Sequence, residues 1–147
     1  MFKNILVPID GSDLSKKAMK KAVALAKSTG AKVTGFHVTP EYKFNYYSEY
    51  IPSNYVPMEE MEAHAKKIAM GYLSALQKAC ETAGVKCSVS YETSDFPADA
   101  IIKAAEKSKC DLIAMASHGR TGLVKLMLGS ETQKVLAQAS MPVLVLR

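Results

Sequence analysis

Two hydrophobic periods alternate along the chain, and this alternation restricts the fold more than any other feature. "NILVPI" (4–9) is a continuous apolar run of strand length, the pattern of a strand covered on both faces. "DGSDLS" supplies turn and cap residues, and a helix is predicted from about Asp13 to Ser28, stopped by Gly30. "AKVTGFHV" (31–38) is a second strand. From Met58 to about Ala83, Met61, Ala65, Ile68, Tyr72, Leu76 and Ala79 recur at helical spacing until Gly84 ends the pattern. "KCSVSYET" (86–93) alternates as a half-covered strand does, and "PADAIIKAAEKS" (97–108) is a helix opening on Pro97. "DLIAMA" (111–116), "SETQKVLAQA" (130–139) and "PVLVL" (142–146) read as strand, short helix and final strand. Five strands separated by four helices predict an α/β domain: one parallel sheet covered on both faces, with right-handed crossovers. For a strand order of 3-2-1-4-5, ligands are expected in the crevice outside the carboxyl ends of strands 1 and 4.

Size and charge narrow the partners. A chain of 147 residues can bury about two-thirds of the surface its unfolded form exposes, so a single domain over residues 1–147 is expected. No run approaches the roughly eighteen apolar residues that span a bilayer. The opening "MFKNILVPID" has no small-residue cleavage site, so a cytoplasmic protein without membrane contact is expected. Cys80, Cys87 and Cys110 are odd in number and form no C-x-x-C pair, which favours reduced, structural thiols. The net charge of +5 owes much to Lys16, Lys17, Lys20, Lys21 and Lys27. These fall opposite Ala18, Ala22, Leu25 and Ala26 on one helix and read as a solvated face. No aromatic residues interleave with them, so no nucleic-acid partner is expected.

The most polar strand end is "MASHGRTGLVKLMLGSETQK" (115–134), which leaves strand 4 and runs into the last helix. Its backbone amides converge beside a helix N-terminus, where anions bind. Gly119, Gly122 and Gly129 are more glycines than a turn needs and suggest close approach of backbone to a ligand. Ser130 and Gln133 have the spacing of a capping box. Neither G-x-G-x-x-G after strand 1 nor G-x-x-x-x-G-K-[ST] anywhere is present, which excludes a dinucleotide-binding enzyme and a P-loop NTPase by motif. His37 and His64 lack ligand spacing, so no metal site is expected from them. The segment 40–57 holds five tyrosines and three prolines; it reads either as surface or partner-facing packing or as a lid.

"ILVPIDGS" together with "ASHGRTGLVKLMLGSETQKVLAQASMPVLVLR" resembles the universal stress protein family, over the whole chain. The family's nucleotide signature, G-x2-G-x9-G-[ST], falls on Ala116, Gly119, Gly129 and Ser130 with its spacing kept and alanine in place of the first glycine. The resemblance implies an adenine-nucleotide alpha-hydrolase-like fold and a site for ATP or AMP, with or without Mg2+. Pro8, Ile9 and Asp10 would line the adenosine, Val38 would read the adenine through its backbone, and Met115 would form the apolar wall. Gly119, Gly129, Ser130 and Thr132 would surround the phosphates, with Ala116, His118, Arg120 and Glu131 completing the set. For His118 a locally bonded turn histidine is the favoured reading over a ligand contact, and for Asp10 a helix-start carboxylate is the alternative. The resemblance further implies a homodimer through strand 142–146 and a stress-response switch module. A nucleotide-free dimerising protein and a slow ATPase stay open as alternatives. Catalysis has little support, because hydrolysis needs a base and a metal-holding carboxylate beside the phosphates, and the resemblance assigns the Asp10 carboxylate to the nucleoside end.

Overall fold

The computed structural model describes residues 1–42, 55–119 and 127–147. In chain order the elements are β1 (Asn4–Pro8), α1 (Asp13–Thr29), β2 (Lys32–Thr39), α2 (Met58–Ala83), β3 (Cys87–Thr93), α3 (Pro97–Lys107), β4 (Leu112–Ala116), α4 (Ser130–Gln138) and β5 (Val143–Leu146). Every expected element is present, with bounds shifted by a residue or two. The strands form one parallel sheet in the order β3-β2-β1-β4-β5, as the alternation predicts.

Alternate residues of the central strands feed two cores. Ile5, Val7 and Val33 face α1 and α2, where Met19, Ala22, Val23, Leu76 and Cys80 pack. Leu6, Phe36, Ile113 and Met115 face α3 and α4, against Ile101, Ala105 and Val135. A strand pointing successive side chains into opposite cores must be apolar throughout, which is why "NILVPI" shows no alternation. β3 lies at a sheet edge, and its second half is exposed on both faces, so it is covered less than its alternation suggested.

Helix boundaries follow local chemistry. The Ser12 hydroxyl accepts the Ser15 N–H and caps α1, and both α1 and α2 stop at glycines in the left-handed conformation, Gly30 and Gly84. Lys16, Lys17, Lys20, Lys21 and Lys27 are all exposed while Ala18, Ala22 and Ala26 are buried, so the lysines form the outer face of α1. Cys80 and Cys110 are buried. Burial, with the neighbouring Cys87 thiol adding to it, pushes the Cys80 thiol up to about 12 and keeps it protonated. Among the described residues no helix is long and apolar enough to cross a membrane.

Candidate functional site

Parallel strands deliver their carboxyl ends to one side of the sheet, and the order β2-β1-β4 sets the ends of β1 and β4 beside each other where the winding reverses. A cleft of about 790 Å³ opens there. Pro8, Ile9 and Asp10 enter it from β1, Val38 from β2, and Met115, Ala116, His118 and Gly119 from β4. Gly129, Ser130, Glu131 and Thr132 enter from the start of α4. The fold thus brings twelve of the thirteen expected site residues to one cavity. Arg120 lies outside the described residues, as do Gly122 and most of the tyrosine-rich stretch 40–57.

The turn after β1 is held from within. Asp10 Oδ1 accepts the Ser12 N–H at 2.9 Å, and the Asp10 N–H donates to the Ser15 hydroxyl at 3.2 Å. The other carboxylate oxygen faces Gly119, where a β-carbon would stand 2.8 Å from Oδ2. The β4 side is tied to α4: the Gly129 N–H donates to Ser117 O at 2.8 Å, and Thr132 Oγ1 donates to Ala116 O at 3.1 Å. A β-carbon on Gly129 would sit 3.3 Å from the His118 Cα and 3.4 Å from Ser117 O. Gly129 itself has φ −60°, so it is there for close packing of backbone on backbone and not for an unusual conformation.

Three roles expected from the sequence change. Ser130 is the first residue of α4 and not its cap: Gly129 occupies the cap position without a side-chain bond, and Gln133 Nε2 donates to Leu128 O at 2.7 Å, so the capping box does not form. The reason is that the Gln133 N–H, which the box would give to the Ser130 hydroxyl, donates to Gly129 O at 2.9 Å and starts the helix one residue earlier. Glu131 spans to α3, whose Phe96 cap has no side-chain bond. Its Oε2 accepts the Ala98 N–H at 2.9 Å and its Oε1 pairs with Lys134 at 2.9 Å. It works as a brace between helices at the cleft wall. Thr132 is buried and its hydroxyl proton is committed to Ala116 O, so it positions β4 against α4 and cannot at the same time donate to a phosphate.

His118 is buried, with Nδ1 2.9 Å from Ser117 Oγ. Its Nε2 is buried and has no partner among the described residues. A buried, unpartnered ring nitrogen at a cavity wall is costly unless something bonds to it. Phe36 and Ile101 also line the cleft and were missed. The signal was available: Phe36 precedes Val38 by two on the same strand face, and Ile101 lies on the buried face of α3. Among the described residues no group of three or more His, Cys, Asp or Glu side chains is placed to hold a metal.

Comparison with known proteins adds the family frame. The family model described as "Universal stress protein family" matches residues 1–147. The Bacillus subtilis universal stress protein YxiE is 36% identical over 152 residues, covering 100% of both chains. Universal stress protein MJ0531 of Methanocaldococcus jannaschii is 34% identical, covering 100% of this chain and 83% of its own. The solved structure of MJ0577 from the same organism superposes with a TM-score of 0.82 at 29% identity, covering 99% of this chain and 96% of that one. The same fold, at lower identity, recurs in a universal stress protein in complex with cAMP (TM-score 0.73, 19% identity, 99% and 97% covered). It recurs again in an Arabidopsis thaliana family member with AMP bound (TM-score 0.68, 18% identity, 98% and 90% covered).

Proposed function

The chain belongs to the universal stress protein family, and from that premise we propose that it is a binding module for an adenine nucleotide, ATP or AMP, whose occupancy regulates its stress-response role. The observation that carries the reading is the make-up of the cleft. Its lining combines apolar side chains, Phe36, Val38, Met115 and Ile101, with the close-packed backbone at Gly119 and Gly129 and with His118, whose Nε2 is unpartnered among the described residues. An adenosine needs the first, and a phosphate beside a helix N-terminus needs the second. The nucleotides bound by the family members with cAMP and AMP are consistent with this.

The residues present fit the group. Pro8, Ile9 and Asp10 would hold the adenosine, with the Asp10 carboxylate directed to a ribose hydroxyl. The amides at Gly119 and Ser130 would take the phosphates, with His118 Nε2 as a further donor, while the Gly129 N–H stays committed to Ser117 O and lets the backbone come close. Mg2+, if it accompanies ATP, would be held chiefly by the phosphates, as that ion commonly is. The module is not proposed as an enzyme: Asp10 is engaged by Ser12 and faces Gly119, which makes it a poor base for an attacking water.

A second reading rests on Ala116. It stands where the nucleotide signature has its first glycine, and a nucleotide-free dimeric protein is the outcome if that methyl group blocks the phosphates. The deciding experiment is to denature freshly purified protein and identify released nucleotide by mass, followed by calorimetric titration of the stripped protein with AMP and ATP. Recovered adenine nucleotide, or saturable binding, supports the first reading. Absence of both at millimolar ligand overturns it. A homodimer through β5 belongs to the proposal as well, since β5 pairs with β4 and, among the described residues, with no other strand.

A further inference from the structure

A second cleft, of about 540 Å³, lies on the opposite face of the sheet between α1 and α2. Its floor is apolar: Ile9 and Met19 are buried beneath it, and the ring of Tyr72 and the half-exposed Ile68 form its wall. Its rim is basic. Lys16 comes from α1, and His64 and Lys67, three residues apart on one face of α2, come from the other side. Among the described residues no Asp or Glu lines the cleft, and neither lysine forms an ion pair with a described residue.

Two glycines shape the cavity. Gly11 has φ +82° and lies under Tyr72 so closely that a β-carbon there would collide with the ring. Any other residue would push Tyr72 outward and fill the space above it. Gly71 is the more telling. It sits inside α2, where glycine weakens a helix relative to alanine, yet a β-carbon at Gly71 would meet nothing within 4 Å. Packing does not require glycine at that position. What its missing side chain does is leave the cleft open beside Tyr72.

We propose that this cleft binds an amphiphilic carboxylate, an aliphatic chain on the Ile9, Met19 and Tyr72 floor with its charged head at Lys16, Lys67 and His64. The floor is apolar apart from the Tyr72 hydroxyl, and the rim carries two lysine ammonium groups. A chain with one anionic end satisfies both. The volume falls within the range of about 300–1,000 Å³ usual for small-molecule sites.

The test is titration of the full chain, labelled with 15N, with decanoate below its aggregation concentration, following amide shifts. Saturable shifts at Lys16, Lys67, Gly71 and Tyr72 are expected. Decan-1-ol, which keeps the chain and lacks the charge, should bind at least about tenfold more weakly, as should Lys16→Glu/Lys67→Glu, through loss and reversal of the rim charge. Gly71→Leu, which fills the cleft while improving helix propensity, should abolish the shifts and leave the thermal midpoint unchanged or raised. Shifts confined to the β1–β4 cleft, equal binding of decanol, undiminished binding by folded Gly71→Leu, or no saturable shift at all would each overturn the proposal. The readout does not depend on nucleotide, so failure here leaves the reading of the first cleft standing.

Discussion

Asp10 and Gly119 meet in the lining of the β1–β4 cleft: the carboxylate oxygen Oδ2 occupies the approach that a side chain on Gly119 would take, 2.8 Å from where a β-carbon would stand. Gly119→Ala should therefore rotate the Asp10 carboxylate and strain its bond to the Ser12 N–H. Because the obstacle is the end of a side chain, the fold should survive. AMP affinity is expected to fall about tenfold, or roughly 1.4 kcal/mol, by calorimetry, with little change in thermal midpoint.

Gly129→Val meets backbone instead, at His118 and Ser117. Backbone cannot rotate aside, so this variant should lose stability as well as affinity. A cost of about 1–3 kcal/mol is expected, as for overpacking in general, measured by denaturant unfolding. The contrast between the two glycines separates a residue placed for the cleft from one placed for packing.

Ala116 lies in β4, opposite Leu146, and has no positive φ, so its backbone does not demand glycine. Ala116→Gly should tighten ATP by roughly 0.5–1 kcal/mol, against an opposing loss of backbone rigidity of similar size in stability. Ala116→Val should abolish nucleotide binding without unfolding the chain. Calorimetry of the three forms, paired with thermal melts, checks both statements. Binding gained only in the glycine form would assign the natural protein to the nucleotide-free reading.

The Ile113 N–H donates to Pro142 O and the Ser117 N–H to Leu146 O, both at 3.0 Å, so the even-numbered residues of β5 turn their backbone to β4. By alternation, Val143 and Val145 present theirs to the open edge. Val145→Pro therefore removes an outward donor and spares the β4 ladder. If β5 pairs with its copy about a two-fold axis, the variant should sediment as a monomer at concentrations where the parent is a dimer. A monomeric parent would sink the dimer proposal.

Asp111 ties the start of β4 to the start of β1, accepting the Lys3 and Asn4 N–H groups at 2.8–3.0 Å. Desolvation pushes its carboxyl up, but these backbone donors outweigh it and hold it below its ordinary value. A depressed carboxyl stabilises the fold above its unfolded pKa, about 3.9, and that contribution disappears as pH falls through the lower folded value. Acid titration of stability should show this loss below about pH 4, and Asp111→Asn should be less stable near neutrality and flatter across that window.

The sequence alone determined the element order and, through it, the place of the cleft. Periodicity reports which faces of each element are buried, and strict strand–helix alternation leaves few ways to cover both faces of a sheet. The residues of the signature were legible for the same reason, since the chain carries them in fixed spacing. What each of them touches was decided only in three dimensions. Ser130 matches a cap by spacing, yet the Gln133 N–H it would need goes to Gly129 O, and Gly129 is itself held by Ser117 just beyond β4. Glu131 reads as a site residue and spends its carboxylate on the Ala98 amide, 33 positions away. The second cleft has no linear trace at all, because Lys16 and Lys67 lie on different helices and share a rim only after both pack on the sheet. Periodicity is a property of neighbours along the chain; hydrogen-bond partners and cavities belong to residues that meet only when the sheet closes.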